Sequence, residues 1–133
     1  MSSQFKHDDY INSRIKKAEE TLFDAEILAR EGRWNSSMNR LYYACFYAVL
    51  ALLSKHRILT RTHSGVKTQF GLKFILTGSI EKKWGAFYSD IFALRQKGDY
   101  ADFIEFNERE LLIMIPEAKE FIEIIKSHLQ NPV

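Results

Sequence analysis

The stretch from Leu41 to Leu53, Leu-Tyr-Tyr-Ala-Cys-Phe-Tyr-Ala-Val-Leu-Ala-Leu-Leu, constrains the fold more than any other part of this 133-residue chain. It contains no charged residue and no Pro or Gly. A membrane-spanning helix needs about 20 apolar residues, and this run is shorter and carries three tyrosines. A helix that is apolar all round must be covered all round. The run is therefore expected at the centre of a helical bundle or in a subunit interface. Its flanks extend the predicted helix from Asn35 to His56, with Asn35 or Ser36 as cap.

Four more helices follow from apolar spacing. Ile11, Ile15, Ala18, Leu22, Ala25 and Ala29 alternate steps of four and three, which predicts a helix over Asp9–Glu31, with Gly32 as its stop. Val66, Phe70 and Phe74 predict a helix over His63–Leu76, with Thr62 as cap and Gly78 beyond. Trp84, Phe87, Tyr88, Ile91 and Leu94 predict one over Ile80–Lys97, closed by Gly98. Leu111, Ile115, Ala118, Ile122 and Ile125 predict one over Asn107–Leu129, where Pro116 should kink or divide it. No segment shows a period-two strand. The expected architecture is all-α, an antiparallel four- to five-helix up-and-down bundle, as one domain over residues 1–133.

Several function classes drop out. Cys45 is the only cysteine, so there is no internal disulfide and no zinc module of the usual kind. The first ten residues are polar and charged rather than leader-like, so a cytoplasmic protein without membrane contact is expected. The six glycines never cluster into a phosphate-cradling loop. Nothing points to a cofactor or a metal.

Charge is uneven. No acidic residue lies between Glu31 and Glu81, whereas Arg33, Arg40, Lys55, Arg57, Arg61, Lys67 and Lys73 do. From Asp99 to Glu123 there are eight acids. The net charge is only +2. Either the two surfaces neutralise each other, within a subunit or across a dimer, or the basic one meets a phosphate-bearing ligand, RNA above all.

Three constellations can carry chemistry. Asn39 and Arg40 begin the apolar helix, and Arg40 shares a face with Tyr43 and Tyr47. A half-buried guanidinium there needs an internal carboxylate or an anionic ligand. Arg95 ends an apolar stripe and is followed by Asp99 and Tyr100. It either braces the bundle or holds phosphate, with Asp99 and Tyr100 as orienting or proton-handling groups. His63 either helps to cap its helix or titrates within the basic region.

The run Asn39-Arg40-Leu41-Tyr42-Tyr43-Ala44-Cys45-Phe46-Tyr47-Ala48 resembles the Arg-x-Tyr-Tyr-Ala-x-Phe helix of HEPN-domain proteins. Thr62 to Val66 and Leu94 to Asp102 match further segments of the same prokaryotic subgroup, in the same order. The resemblance covers about Arg14 to Leu129. It implies a dimerising helical bundle, often paired with a minimal nucleotidyltransferase as toxin and antitoxin. It also implies metal-independent RNA cleavage in many members, through an Arg and a following His with four to six residues between them. At the histidine spacing this chain has Tyr100 after Arg95 and Tyr47 after Arg40. The one literal match is Arg57 with His63. Tyr100 is the nearest equivalent of a tyrosine to which some partner nucleotidyltransferases add AMP.

Three readings follow. In the first, the chain is a homodimeric module without strong catalysis that binds a nucleotidyltransferase or a nucleotide or RNA ligand, with Asn39, Arg40, Tyr43, Tyr47, Arg57 and His63 as ligand-binding residues. In the second, it is a metal-independent endoribonuclease toxin using Arg95, Asp99 and Tyr100. In the third, it is a structural helical adaptor.

Overall fold

The computed structural model describes residues 3–100 and 105–130, apart from the side chains of Asp99 and Tyr100. Among the described residues the chain is all-α: α1 (Ser3–Arg30), α2 (Trp34–Lys55), α3 (His63–Phe70), α4 (Lys82–Tyr100) and α5 (Glu108–Leu129). A π-helical turn, Gly71–Ile75, continues α3.

The apolar run does what its composition demands. α2 packs against α1, α3, α4 and α5. Its Met38, Leu41, Tyr42, Ala44, Cys45, Ala48, Val49, Ala51 and Leu52 are completely buried. Burial also pushes the Cys45 thiol far up, so it stays protonated and inert. α2 is nevertheless not covered all round. Asn39, Arg40, Tyr43, Phe46, Tyr47 and Leu50 form a stripe that is only half-buried.

The α1–α2 connection turns at Gly32, whose φ of +71° suits a residue without a side chain. Salt bridges Lys126–Glu19 (3.1 Å) and Lys119–Glu26 (3.5 Å) join α5 to α1. Exposed pairs of this kind contribute little, about 0–1 kcal/mol each. Most of the energy that seats α5 comes instead from Phe121, Ile122 and Ile125, all buried at its inner face.

Several boundaries differ from the sequence expectation, each for a local reason. α1 begins at Ser3 rather than Asp9. Tertiary contacts hold this extra turn: Arg57 donates to Gln4 Oε1 (2.8 Å), and a His7 ring nitrogen meets the Ser54 carbonyl. Arg33 occupies the cap position of α2, with no side-chain cap bond. Asn35 does other work, accepting from the Phe106 backbone N–H (2.7 Å) and so tying the approach to α5 onto α2.

The helix expected over His63–Leu76 forms without a break, but its last turn widens to the π turn, in which Leu76 N–H bonds to the Gly71 carbonyl (2.8 Å). Ile75 then lies against Gly85 of α4, where a Cβ would stand 2.9 Å from Ile75 Cγ2. Gly98 does not close α4, which runs on to Tyr100. Its role is close approach: a Cβ at Gly98 would stand 3.3 Å from the Phe106 ring.

Asn107 caps α5 through a reciprocal pair with Glu110, at 3.0 and 3.1 Å. The helix passes through Pro116 without division. Pro116 is exposed, so the backbone bond that it removes lies on the solvent side.

Candidate functional site

Four helices place polar and aromatic groups along the half-buried stripe of α2. Tyr42 and Tyr43 are consecutive on α2, so one ring points inward and the other to the rim. Tyr42 is fully buried, and a buried phenol needs a partner. It finds one in His63, the first residue of α3, whose Nδ1 lies 2.8 Å from the Tyr42 hydroxyl. The phenol can donate to Nδ1 or accept from it. His63 therefore does not cap α3. That work belongs to Thr62, whose side chain accepts from Gly65 N–H (2.9 Å).

The His63 ring is fixed on a second side by Phe46, stacked at 4.2 Å between centroids and 16° between planes. Arg95 reaches the same cluster from α4. Its guanidinium carbon lies 5.3 Å from the Tyr42 ring centre and 5.6 Å from that of Tyr43, and it donates to the Tyr43 hydroxyl at 3.4 Å. Arg40 covers Tyr43 from the other end of the stripe, at 4.9 Å. It donates to Asn39 Oδ1 (3.0 Å). Among the described residues Arg40 has no carboxylate partner, so the internal ion pair allowed by the sequence is not formed.

Burial raises the Tyr42 hydroxyl to about 12, so it remains a neutral phenol in the physiological range. Burial, and then the neighbouring Arg95 charge, lower His63 below its ordinary value of 6.5. His63 is thus a neutral imidazole at pH 7, beside an arginine that never loses its charge.

The linkage has a definite sign. A histidine depressed in the folded state contributes stability that is complete above about pH 6.5 and is lost as pH falls through its lower folded value. His56, lowered by burial and then by Lys55, contributes in the same direction. Stability measured in urea is expected to fall on acidification from about pH 7 to about pH 5, and His63→Gln should flatten that dependence. An unaltered slope in the variant would show that His63 is not depressed.

The sequence-derived candidates divide. Asn39, Arg40, Tyr43, His63 and Arg95 come together, and Tyr47 continues the stripe, its ring 6.1 Å from that of Tyr43. Arg57 does not join them. It is an exposed residue with φ +57° that is engaged with Gln4 of α1, and it lines a separate surface cavity of about 490 Å³ with His7, Tyr10 and Leu59. Arg57 and His63 thus satisfy the spacing of an Arg–His motif while serving different neighbourhoods. Asp99 and Tyr100 fall in the last turn of α4, and their side chains lie outside the described residues, as does Asp102.

The sequence marked Tyr42 and Phe46 only as motif positions of the central helix, with no role at the site, and gave no place there to Arg14. Tyr42 was hidden inside the apolar run, although its hydroxyl was a signal that something polar must meet it. Arg14 lies on α1 with its guanidinium carbon 5.7 Å from the Tyr47 ring centre, and its one-sided amphipathic helix gave no sign of that contact.

An arginine, a histidine and two tyrosines thus converge on the central helix of an all-α bundle, which is the class of small helical protein that the fold defines. Residues 11–128 match the HEPN domain, and the chain belongs to that family. A Thermotoga maritima relative named UPF0332 protein is 37% identical over 116 residues, covering 87% of this chain and 88% of its own length. Two Methanocaldococcus jannaschii relatives carry the names "Putative toxin MJ0605" and "Putative toxin MJ0142". The first is 35% identical, covering 91% of this chain and 90% of its own length. The second is 30% identical, covering 86% and 78%.

No helix among the described residues is long and apolar enough to cross a membrane.

Proposed function

We propose that this protein is a toxin-type HEPN module that binds RNA phosphate at the Arg95–His63 cluster. One observation carries the reading: two groups far apart in sequence, a fixed cation and a neutral imidazole, are held on the same pair of tyrosine rings. A guanidinium offers phosphate two parallel donors, and a neighbouring histidine gains a proton readily once an anion arrives. The names of the two Methanocaldococcus relatives support the toxin role. A homodimer and a minimal nucleotidyltransferase partner belong to the same reading, as the resemblance of the Asn39–Ala48 run implies.

The position of His63 favours a second reading, in which the bound RNA is also cut. The imidazole would take the proton of a 2′-hydroxyl as that oxygen attacks the adjacent phosphorus. The bond to the 5′-oxygen breaks, that oxygen takes a proton from solvent as it leaves, and Arg95 stabilises the phosphate charge. His63 here supplies from α3 what the spacing after Arg95 does not supply from α4.

Binding is tested by the response of the His63 ring to a single-stranded oligonucleotide. Incubation of RNA with the protein in EDTA separates the two readings. Fragments ending in 2′,3′-cyclic phosphate carry the second, and bound but intact RNA carries the first. A protein that neither binds nor cuts RNA is the structural adaptor.

A further inference from the structure

The Arg95 cluster belongs to a longer row of rings and cations. Tyr47 follows Tyr43 one turn along α2, with ring centres 6.1 Å apart. Beyond it the Arg14 guanidinium of α1 lies between two rings, 5.7 Å from the centre of Tyr47 and 5.4 Å from that of Tyr10. Arg40 lies over Tyr43 at the opposite end. We propose that Tyr10, Arg14, Tyr47, Tyr43 and Arg40 extend the Arg95 site into a track for a single strand of nucleic acid. The inference rests on the reading in which Arg95 takes RNA phosphate, and it adds the form of the ligand and the path it follows.

Charge bookkeeping is the first support. Among the described residues neither Arg14 nor Arg40 has a carboxylate partner. Arg14 donates only to the neighbouring Ser13 hydroxyl, at 3.3 Å, and its Nε is buried without a hydrogen bond. Both side chains are half-buried. A cation removed from water without a counter-charge is costly, and an anionic ligand offsets that cost.

The second support is the chemistry of the rings. Proteins that follow a single strand combine backbone-tracking cations with aromatic or guanidinium planes on which bases stack. Here arginines and tyrosine rings follow one another in a single row, from Tyr10 and Arg14 through Tyr47 and Tyr43 to Arg40. Arg40 to Tyr47 spans about 10 Å of helix, on the order of three nucleotides at their stacked spacing. A duplex would offer this face only phosphates and base edges.

The test measures binding of a labelled ten-nucleotide single strand, 2′-O-methylated to prevent cleavage, and of the matching duplex, each over a range of salt. The wild type should bind the strand more tightly than the duplex. Tyr47→Leu should weaken strand binding about fivefold or more with the salt dependence unchanged, and Tyr47→Phe should restore it. Arg14→Gln should reduce the salt slope by about 0.7, one phosphate contact.

Wild-type affinity in both Tyr47→Leu and Arg14→Gln, with binding still lost in Arg95→Ala, would overturn the track and leave the Arg95 site standing. A wild type that binds no strand would overturn both. Undiminished strand binding in variants that change the size of the protein in solution would also overturn the track, and would assign the face to a second copy.

Discussion

An Arg95→Ala protein is expected to bind the single strand about ten- to a hundredfold more weakly than wild type, while keeping its helical content and most of its stability. The first part follows from charge: hydrogen bonds to ionised groups contribute about 1.5–3 kcal/mol each, and Arg95 is the cation that lies over Tyr42 and whose charge acts on His63. The second follows from its exposure: Arg95 is only half-buried, so its truncation opens no sealed cavity.

Arg95→Lys should recover only part of the affinity, because an ammonium lacks the planar guanidinium that grips phosphate with two parallel donors. Titration by fluorescence anisotropy, with circular dichroism as the folding control, reads both effects. Undiminished affinity in Arg95→Ala would remove Arg95 from the site.

Phe121→Ala should give the opposite pattern, a severe loss of stability from a residue remote from the candidate site. Phe121 is completely buried in α5. Its ring meets Phe87 at 5.2 Å and Phe70, Trp84 and Tyr88 each at 5.8 Å between centroids. These neighbours come from α3 and α4, so Phe121 is the point where three helices converge. Truncation costs the lost transfer energy and leaves a cavity that four large rings cannot easily fill, about 3–5 kcal/mol in comparable cores. Domains of this size are stable by only about 5–15 kcal/mol. The midpoint of urea unfolding should fall sharply with its slope unchanged. A fall of under about 1 kcal/mol would mean that the aromatic cluster repacks around the gap.

The helices were readable because burial imposes a period. Leu22, Ala25, Ile91, Leu111, Ile122 and Ile125 are buried where the spacing placed the core. Boundaries were less readable, because contacts from elsewhere decide them. The first turn of α1 depends on Arg57 and Ser54. Gly98 looked like a stop because glycine usually serves that purpose, and only the approach of Phe106 shows its other use.

The same division runs through the candidate site. Arg40 beside Tyr43, and Arg95 at the end of an apolar stripe, were visible as cations where apolar residues were due. That His63 meets Tyr42 rather than capping α3 was not visible, because it depends on how α3 crosses α2. Linear spacing misled at Arg57, which sits at the right distance along the chain from His63 but turns toward α1. Spacing along a loop specifies no direction in space, whereas spacing along a helix does.

The account depends on Arg95, His63 and Tyr42 acting as one anion site. The most direct measurement is an NMR titration of the His63 imidazole, identified by its loss in His63→Gln, with and without saturating 2′-O-methylated single strand. Free protein should show His63 titrating below the ordinary value of 6.5, held down by burial and by Arg95. With the strand bound, the pKa should rise, because a phosphate beside the ring favours its charged form. A His63 titration that stays the same while anisotropy shows the strand to be bound would contradict the account and place RNA elsewhere on the molecule.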